Sequence, residues 1–280
     1  MTISDKKSFN DQFKGFINMP NLFLNSKVFS TSSFETQDIL DIDFNSIDFE
    51  QLKKHKYLGK RAEYFIKTYL DQNKNYSPIY HSLQIQDNKT TLGELDFLFF
   101  DHQKNKWIHL ELICKFYVFI GDEKKTDLEA WIGPNLKDRL DYKVEKLKTH
   151  QLQICQRPEA QKLLNKLNID WTRVETQICY KAKLFLPPDI ETFQFNQLNS
   201  NCLKGRYYNF EDFKNFKFSD QLYYVPQKHE WICEPKTNSQ WYDFDKAQRL
   251  LKLKLQDKRA QMIWRKTKTG EFFEDFVVWW

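Results

Sequence analysis

Glycine is scarce, at 7 of 280 residues. So few glycines leave little room for the loops that cradle nucleotide phosphates, and neither the dinucleotide fingerprint nor the nucleotide-triphosphate loop occurs. Cysteine is sparse too and odd in number, at 5. Cys114, Cys155, Cys179, Cys202 and Cys233 contain no Cys-x-x-Cys pair. That argues against a disulfide framework or a zinc site and makes a reducing cytoplasm the expected setting. No apolar run approaches the roughly 20 residues that span a bilayer. Residues 1–18 hold no continuous apolar segment of the secretory type, so no membrane partner is expected. A strong excess of one charge is also missing. The net charge of +5 does not by itself distinguish a polyanion partner from an ordinary surface balance. There is no internal repeat and no low-complexity tract.

What the chain does have is apolar and aromatic bulk. Hydrophobic residues make up 41% and aromatics 16%, enough to fill a large core. Leu58, Ala62, Phe65, Ile66 and Tyr69 recur at helical spacing and predict a helix over 55–69, with Glu63 beside the apolar stripe. Three strands are predicted next, at 79–85, 92–100 and 107–119. The polar stretches Asp87-Asn88-Lys89 and 101–106 separate them, short enough to make an antiparallel meander. A second helix is expected over 136–154, where Gln151 is the polar member of an apolar row, then a strand over 173–186 closed by Pro187-Pro188. Short strands near 222–225 and 229–233 and a basic helix over 244–264 complete the pattern. The Ser-Thr-Ser-Ser run at 30–33 reads as loop. The order of elements predicts an α/β (mixed α+β) fold, a mixed sheet flanked by helices. The expected organisation is an extension over 1–54, a core over 55–188 and an appendage over 189–280.

Two acids stand where acids are costly. Asp96 interrupts Leu95-Asp96-Phe97-Leu98 and Glu111 interrupts Leu110-Glu111-Leu112, both on apolar strands. A buried carboxylate must be paired, hydrogen-bonded or bound to a cation. Pairing across the 101–106 turn brings Asp96 opposite Glu111, and the strand period of two sets Lys115 on the face of Glu111. Two carboxylates suit Mg²⁺ or Mn²⁺, which takes the rest of its shell from water and phosphate. An ammonium such as that of Lys115 can hold the attacking water. The competing assignment is a buried acid–lysine salt bridge. Glu94 can be a further ligand or a solvated rim acid, and His109 a phosphate contact or a half-buried histidine.

Gly93-Glu94-Leu95-Asp96, Glu111 on an apolar strand, and Lys115 beyond it resemble the core of the PD-(D/E)XK nuclease superfamily. The runs Thr91–Asp96, His109–Glu111, Lys115–Tyr117 and His150–Leu152 resemble in particular a bacterial family of unknown function placed within it. The likeness covers about residues 55–155. It implies a restriction-endonuclease-like core, metal ligation by Asp96 and Glu111, and catalysis by Lys115 with Glu63 and Gln151 assisting. The motif is displaced: Ile113 stands where the usual Glu-x-Lys has lysine. The expected function is therefore a Mg²⁺-dependent nuclease. The alternative is a degenerate module of the same fold that binds nucleic acid or protein. DNA is expected ahead of RNA as partner. Lys252, Lys258 and Arg259 on the basic helix are the expected backbone contacts, against a merely solvated helix face. Superfamily members often form homodimers, but nothing in the sequence marks an interface.

Overall fold

The computed structural model describes residues 3–23, 28–36, 43, 49–121, 128–215 and 221–280. The N-terminal part comprises α1 (Ile3–Ile17), β1 (Ser32–Ser33) and α2 (Phe49–Lys54). Then come α3 (Leu58–Gln72), β2 (Tyr76–Asp87), β3 (Thr90–Asp101), β4 (Lys106–Phe119) and β5 (Trp131–Ile132). They are followed by α4 (Leu140–Lys146), α5 (Pro158–Lys166), β6 (Val174–Leu186), β7 (Leu203–Asn209) and α6 (Phe210–Asn215). The chain closes with β8 (Leu222–Tyr224), α7 (Phe244–Leu255), β9 (Gln261–Lys266) and β10 (Phe272–Val278). Strands pair in both senses, so this is an α/β protein with a mixed sheet. The chain divides into two compact units, one made of 23–114 and 142–181, the other of 1–22, 115–141 and 182–280. The units interleave along the sequence, with β4 and β6 contributing residues to both.

In the first unit β2, β3 and β4 form an antiparallel meander and β1 runs parallel to β6. The turns use the residues that the chain offers: Asn88 and Asn105 adopt positive φ, at 53° and 52°, and Asp101 accepts the amides of Gln103 and Lys104. Leu95, Phe97, Leu98 and Phe99 of β3 are all fully buried, which explains their unbroken apolar run: both faces of the strand are covered. On one face Tyr69 of α3, Tyr76, Phe34 and Phe99 make an aromatic cluster, with Tyr76 and Phe99 centroids 4.9 Å apart. In a second cluster Ile85, Leu95 and Leu98 pack with Ile154, Ala160 and Leu164 from the α5 side.

Four local expectations are corrected. The helix predicted over 136–154 is segmented: α4 stops at Lys146, a π-helical turn covers Leu147–Gln151, and a 3₁₀ turn covers Ile154–Gln156. The strand expected near 229–233 is a 3₁₀ turn, Lys228–Glu230, closed by a capping box between Gln227 and Glu230. The basic helix over 244–264 ends at Leu255, where Lys258 turns the chain with φ 52°, and residues 261–266 are the strand β9. Met262, Ile263 and Trp264 are consecutive and buried, which suits a strand covered on two faces better than one side of a helix. Ser32 and Ser33, read as loop, pair with Gln177 and Ile178.

In the second unit β7 and β10 are parallel, and β9 joins β10 to β8 in antiparallel sense. Ala247, Leu251 and Leu255 lay one face of α7 on Tyr208, Tyr223, Ile263 and Val277. Asp243 caps this helix by accepting the amide of Lys246 at 2.7 Å.

Candidate functional site

The meander register carries the site. The β3–β4 ladder runs from Asp101↔Lys106 to Phe97↔Leu110, so the next positions in register are Asp96 and Glu111. There the ladder ends, and an Asp96 carboxylate oxygen accepts the amide of Leu112 at 2.9 Å. Burial, followed by the Glu111 charge, pushes the Asp96 pKa up to about 7, even though the Leu112 amide works the other way. The charges of Glu63 and Glu94 add to the upward shift.

Glu111 is 1% exposed and both of its carboxylate oxygens are engaged. Gln151 Nε2 donates to Oε2 at 2.9 Å, and His109 Nε2 lies 3.3 Å from Oε1. Gln151 Oε1 in turn accepts from Lys143 Nζ at 2.8 Å. The segmented helix makes this possible, because Gln151 closes the π-helical turn and donates to β4 from there. His109, weighed from the sequence as half-buried, is fully buried, with Nδ1 3.4 Å from the Thr176 hydroxyl. Burial alone would lower its pKa, but Cys155 and the Glu111 carboxylate beside it lift it to about 10.

Glu63 lies on α3, where its carboxylate accepts from Lys60 at 2.6 Å and lies 3.5 Å from His81 Nε2. Burial opposes its ionisation, yet the bonds from His81 and Lys60 hold its pKa below the ordinary value. The His81 ring stacks on Phe97, centroids 4.7 Å apart. Glu94 stands opposite Gln84 in register and accepts its amide. Lys115 lies beyond Cys114, in the second unit, and its ammonium is held by Asp138 at 3.0 Å.

The first unit thus gathers Asp96, Glu111 and Gln151 by direct bonds or register, with Glu63 coupled to Asp96 through its charge. The sequence pattern does not single out Lys60, His81, Lys143, Cys155 or Thr176. A signal existed for Lys60 alone, three residues before Glu63 on one helix face. Among the described residues no three His, Cys, Asp or Glu side chains converge as a metal-holding group.

The basic residues of the C-terminal region are placed differently from one another. Lys252 is exposed on α7, whereas Lys258 and Arg259 are exposed in the turn after it, Lys258 lying 5.6 Å above the Trp279 ring. Arg265 is buried on β9 and paired with Asp275 and Gln221. Trp264, at the end of the predicted helix, is 2% exposed and belongs to the core.

Comparison with known families matches residues 39–275 to a domain of unknown function, DUF1853. The chain belongs to the DUF1853 family. The match spans both sides of the Asp96–Glu111 register and continues through β9 into β10. No curated protein and no solved structure matches this DUF1853 chain. No helix among its described residues is long and apolar enough to cross a membrane.

Proposed function

We propose that this DUF1853 protein is a Mg²⁺-dependent phosphodiesterase acting on nucleic acid, with a PD-(D/E)XK-type site in its first unit. The observation that carries the proposal is that Asp96 and Glu111 are neighbours where the β3–β4 ladder ends: Asp96 accepts the Leu112 amide and feels the Glu111 charge. Two facing carboxylates, one with its pKa raised to about 7, form a site whose ionised state a divalent cation would favour. Mg²⁺, when bound, would neutralise charge at phosphorus and lower the pKa of a bound water. The protein's own part is positional. The Leu112 amide fixes Asp96, and Gln151 orients Glu111. Lys143, one hydrogen bond from Gln151, supplies an ammonium in this unit, whereas that of Lys115 is engaged by Asp138. Glu63 adds negative charge beside Asp96. Lys252, Lys258 and Arg259 are exposed and suited to the phosphate backbone, DNA ahead of RNA.

The test is single-turnover cleavage of labelled single-stranded, double-stranded and branched DNA and RNA with Mg²⁺ or Mn²⁺. Glu111→Gln should abolish cleavage. Lys143→Ala should slow it by about 10²-fold, the scale of one missing electrostatic donor, while Lys115→Ala changes it by less than about threefold. Wild type that binds Mn²⁺ in calorimetry no better than Asp96→Ala would refute the proposal.

One observation favours a second reading, a non-catalytic module on the same fold that binds nucleic acid or protein. Both Glu111 oxygens already have protein partners, and His109 with a raised pKa makes a buried ion pair of the kind that needs no metal. Nucleic-acid binding without cleavage of any substrate would select it.

A further inference from the structure

A cavity of about 750 Å³ opens in the first unit beside β1 and the π-helical turn. Its volume is of the size that takes a drug-sized or nucleotide-sized ligand. Ser30, Thr31, Lys148, Gln153 and Gln156 line it with polar groups, and Phe29 forms part of its apolar wall together with Val28 and Leu152. The state of those polar groups is informative. Lys148 is half-buried and forms no ion pair or side-chain hydrogen bond with any described residue. The Thr31 hydroxyl is buried and has no partner among the described residues, an arrangement that costs free energy unless something else supplies the bond. Neither glutamine carboxamide is engaged by a described residue. The one carboxylate on the wall, Glu175, is satisfied by Ser32, Gln177 and Lys106. The unspent hydrogen-bonding capacity is therefore an ammonium, two hydroxyls and two carboxamides.

We infer that this cavity binds a phosphorylated nucleoside, with the phosphate at Lys148 and the Ser30–Thr31 hydroxyls and the base at the glutamine rim. An ammonium and adjacent hydroxyls are donors to an anionic oxygen cluster. A carboxamide presents a donor and an acceptor side by side, which matches the edge of a base, adenine above all. The buried Phe29 and Leu152 side chains offer an apolar surface for a flat ring. Thr176 lines the same cavity and meets His109, which meets Glu111, so the occupant sits two side chains from the candidate site. Such an occupant requires neither metal nor cleavage, and its binding stands apart from the proposed phosphodiesterase activity.

The experiment is calorimetric titration of metal-free protein with AMP, adenosine and ribose 5-phosphate, on wild type, Lys148→Ala, Thr31→Val and Asp96→Asn. Far-UV circular dichroism checks that each variant is folded. AMP should bind wild type and Asp96→Asn alike. Adenosine and ribose 5-phosphate should each bind at least about tenfold more weakly, the equivalent of about 1.4 kcal/mol. Lys148→Ala should weaken AMP by about tenfold and leave adenosine unchanged, and Thr31→Val should weaken AMP as well. Competition with a single-stranded oligonucleotide, with and without a 5′-phosphate, distinguishes the sources. Displacement of AMP by the phosphorylated oligomer alone makes the occupant a strand end; displacement by neither makes it a free nucleotide. Absence of AMP binding, AMP affinity unmoved by Lys148→Ala, or ribose 5-phosphate binding as tightly as AMP overturns the inference.

Discussion

Asp96 and His109 flank Glu111 with opposite electrostatic tendencies, and their pH dependences separate them. The Asp96 pKa rises from 3.8 to about 7 because burial and then the Glu111 charge penalise its ionised form. A carboxyl with a raised folded-state pKa contributes stability below its unfolded value and loses it as pH climbs through the folded one. Between about pH 4 and 7 the metal-free protein should therefore lose stability at this position. Asp96→Asn removes the penalty. Its melting temperature should exceed that of wild type by a margin that grows from pH 5 to pH 8, at about 2–4 °C per kcal/mol relieved. It should also lack any rise with Mn²⁺. Lower stability than wild type at pH 8 would mean that the carboxylate is a structural partner. The His109 pKa rises from 6.5 to about 10, against burial, through Cys155 and Glu111. Its contribution is complete below 6.5 and disappears as pH passes 10, so urea midpoints of wild type should fall across that window. In His109→Gln the fall should be absent, and the midpoint at pH 6 lower, since Glu111 then lies buried without its cation.

At the scale of elements, the π-helical turn is what distinguishes this site from a generic meander. Its widened turn ends on Gln151, whose carboxamide links Glu111 to Lys143. The basic C-terminal segment behaves as two elements, the exposed face of α7 and the turn that follows. Charge reversal at Lys252 and Arg259 should weaken nucleic-acid binding and reduce the slope of log affinity against log salt by about 0.7–0.9 for each phosphate no longer neutralised. A slope identical to that of wild type in filter binding would make these residues a solvated surface. Lys246 differs, because its ammonium lies 3.9 Å above the Tyr242 ring; its replacement should change the slope less.

At the scale of the whole molecule, the second unit buries charged pairs within its apolar core. Lys183 pairs with Glu274 and donates to the Cys233 carbonyl, and Arg265 pairs with Asp275, which also accepts the Arg206 amide. Removing one partner leaves an uncompensated buried charge, so Lys183→Ala should cost about 3–5 kcal/mol in denaturant unfolding, with Lys183→Met/Glu274→Leu recovering much of it. A cost below about 1 kcal/mol would show that the pair is solvated, as exposed pairs are. Gly205 belongs to the same region: a Cβ there would collide with the backbone carbonyl of Glu274.

Much of the first unit was legible because its signals are local. Alternation, asparagine turns and the apolar stripe of α3 need only neighbours in sequence, and two acids in apolar strands are conspicuous whatever surrounds them. Short turns even set the register that makes Asp96 and Glu111 neighbours. Tertiary structure alone decided the rest. The consecutive Met262, Ile263 and Trp264 are only a weak local sign that β9 is not a continuation of α7; pairing with β8 and β10 decides it. The π-helical turn at residues 147–151 has no mark in the apolar periodicity, and its last residue, Gln151, finds its partner on β4. The partners of each charge are tertiary as well: Lys115 shares a strand with Glu111 but is held by Asp138, whereas Lys148 lines a cavity whose one carboxylate is already taken by Lys106. The sequence determined which polar side chains stand out, through their cost in apolar surroundings. Which of them meet was determined by segments distant in the chain, because hydrogen bonds and desolvation act over a few ångströms of space without regard to sequence separation.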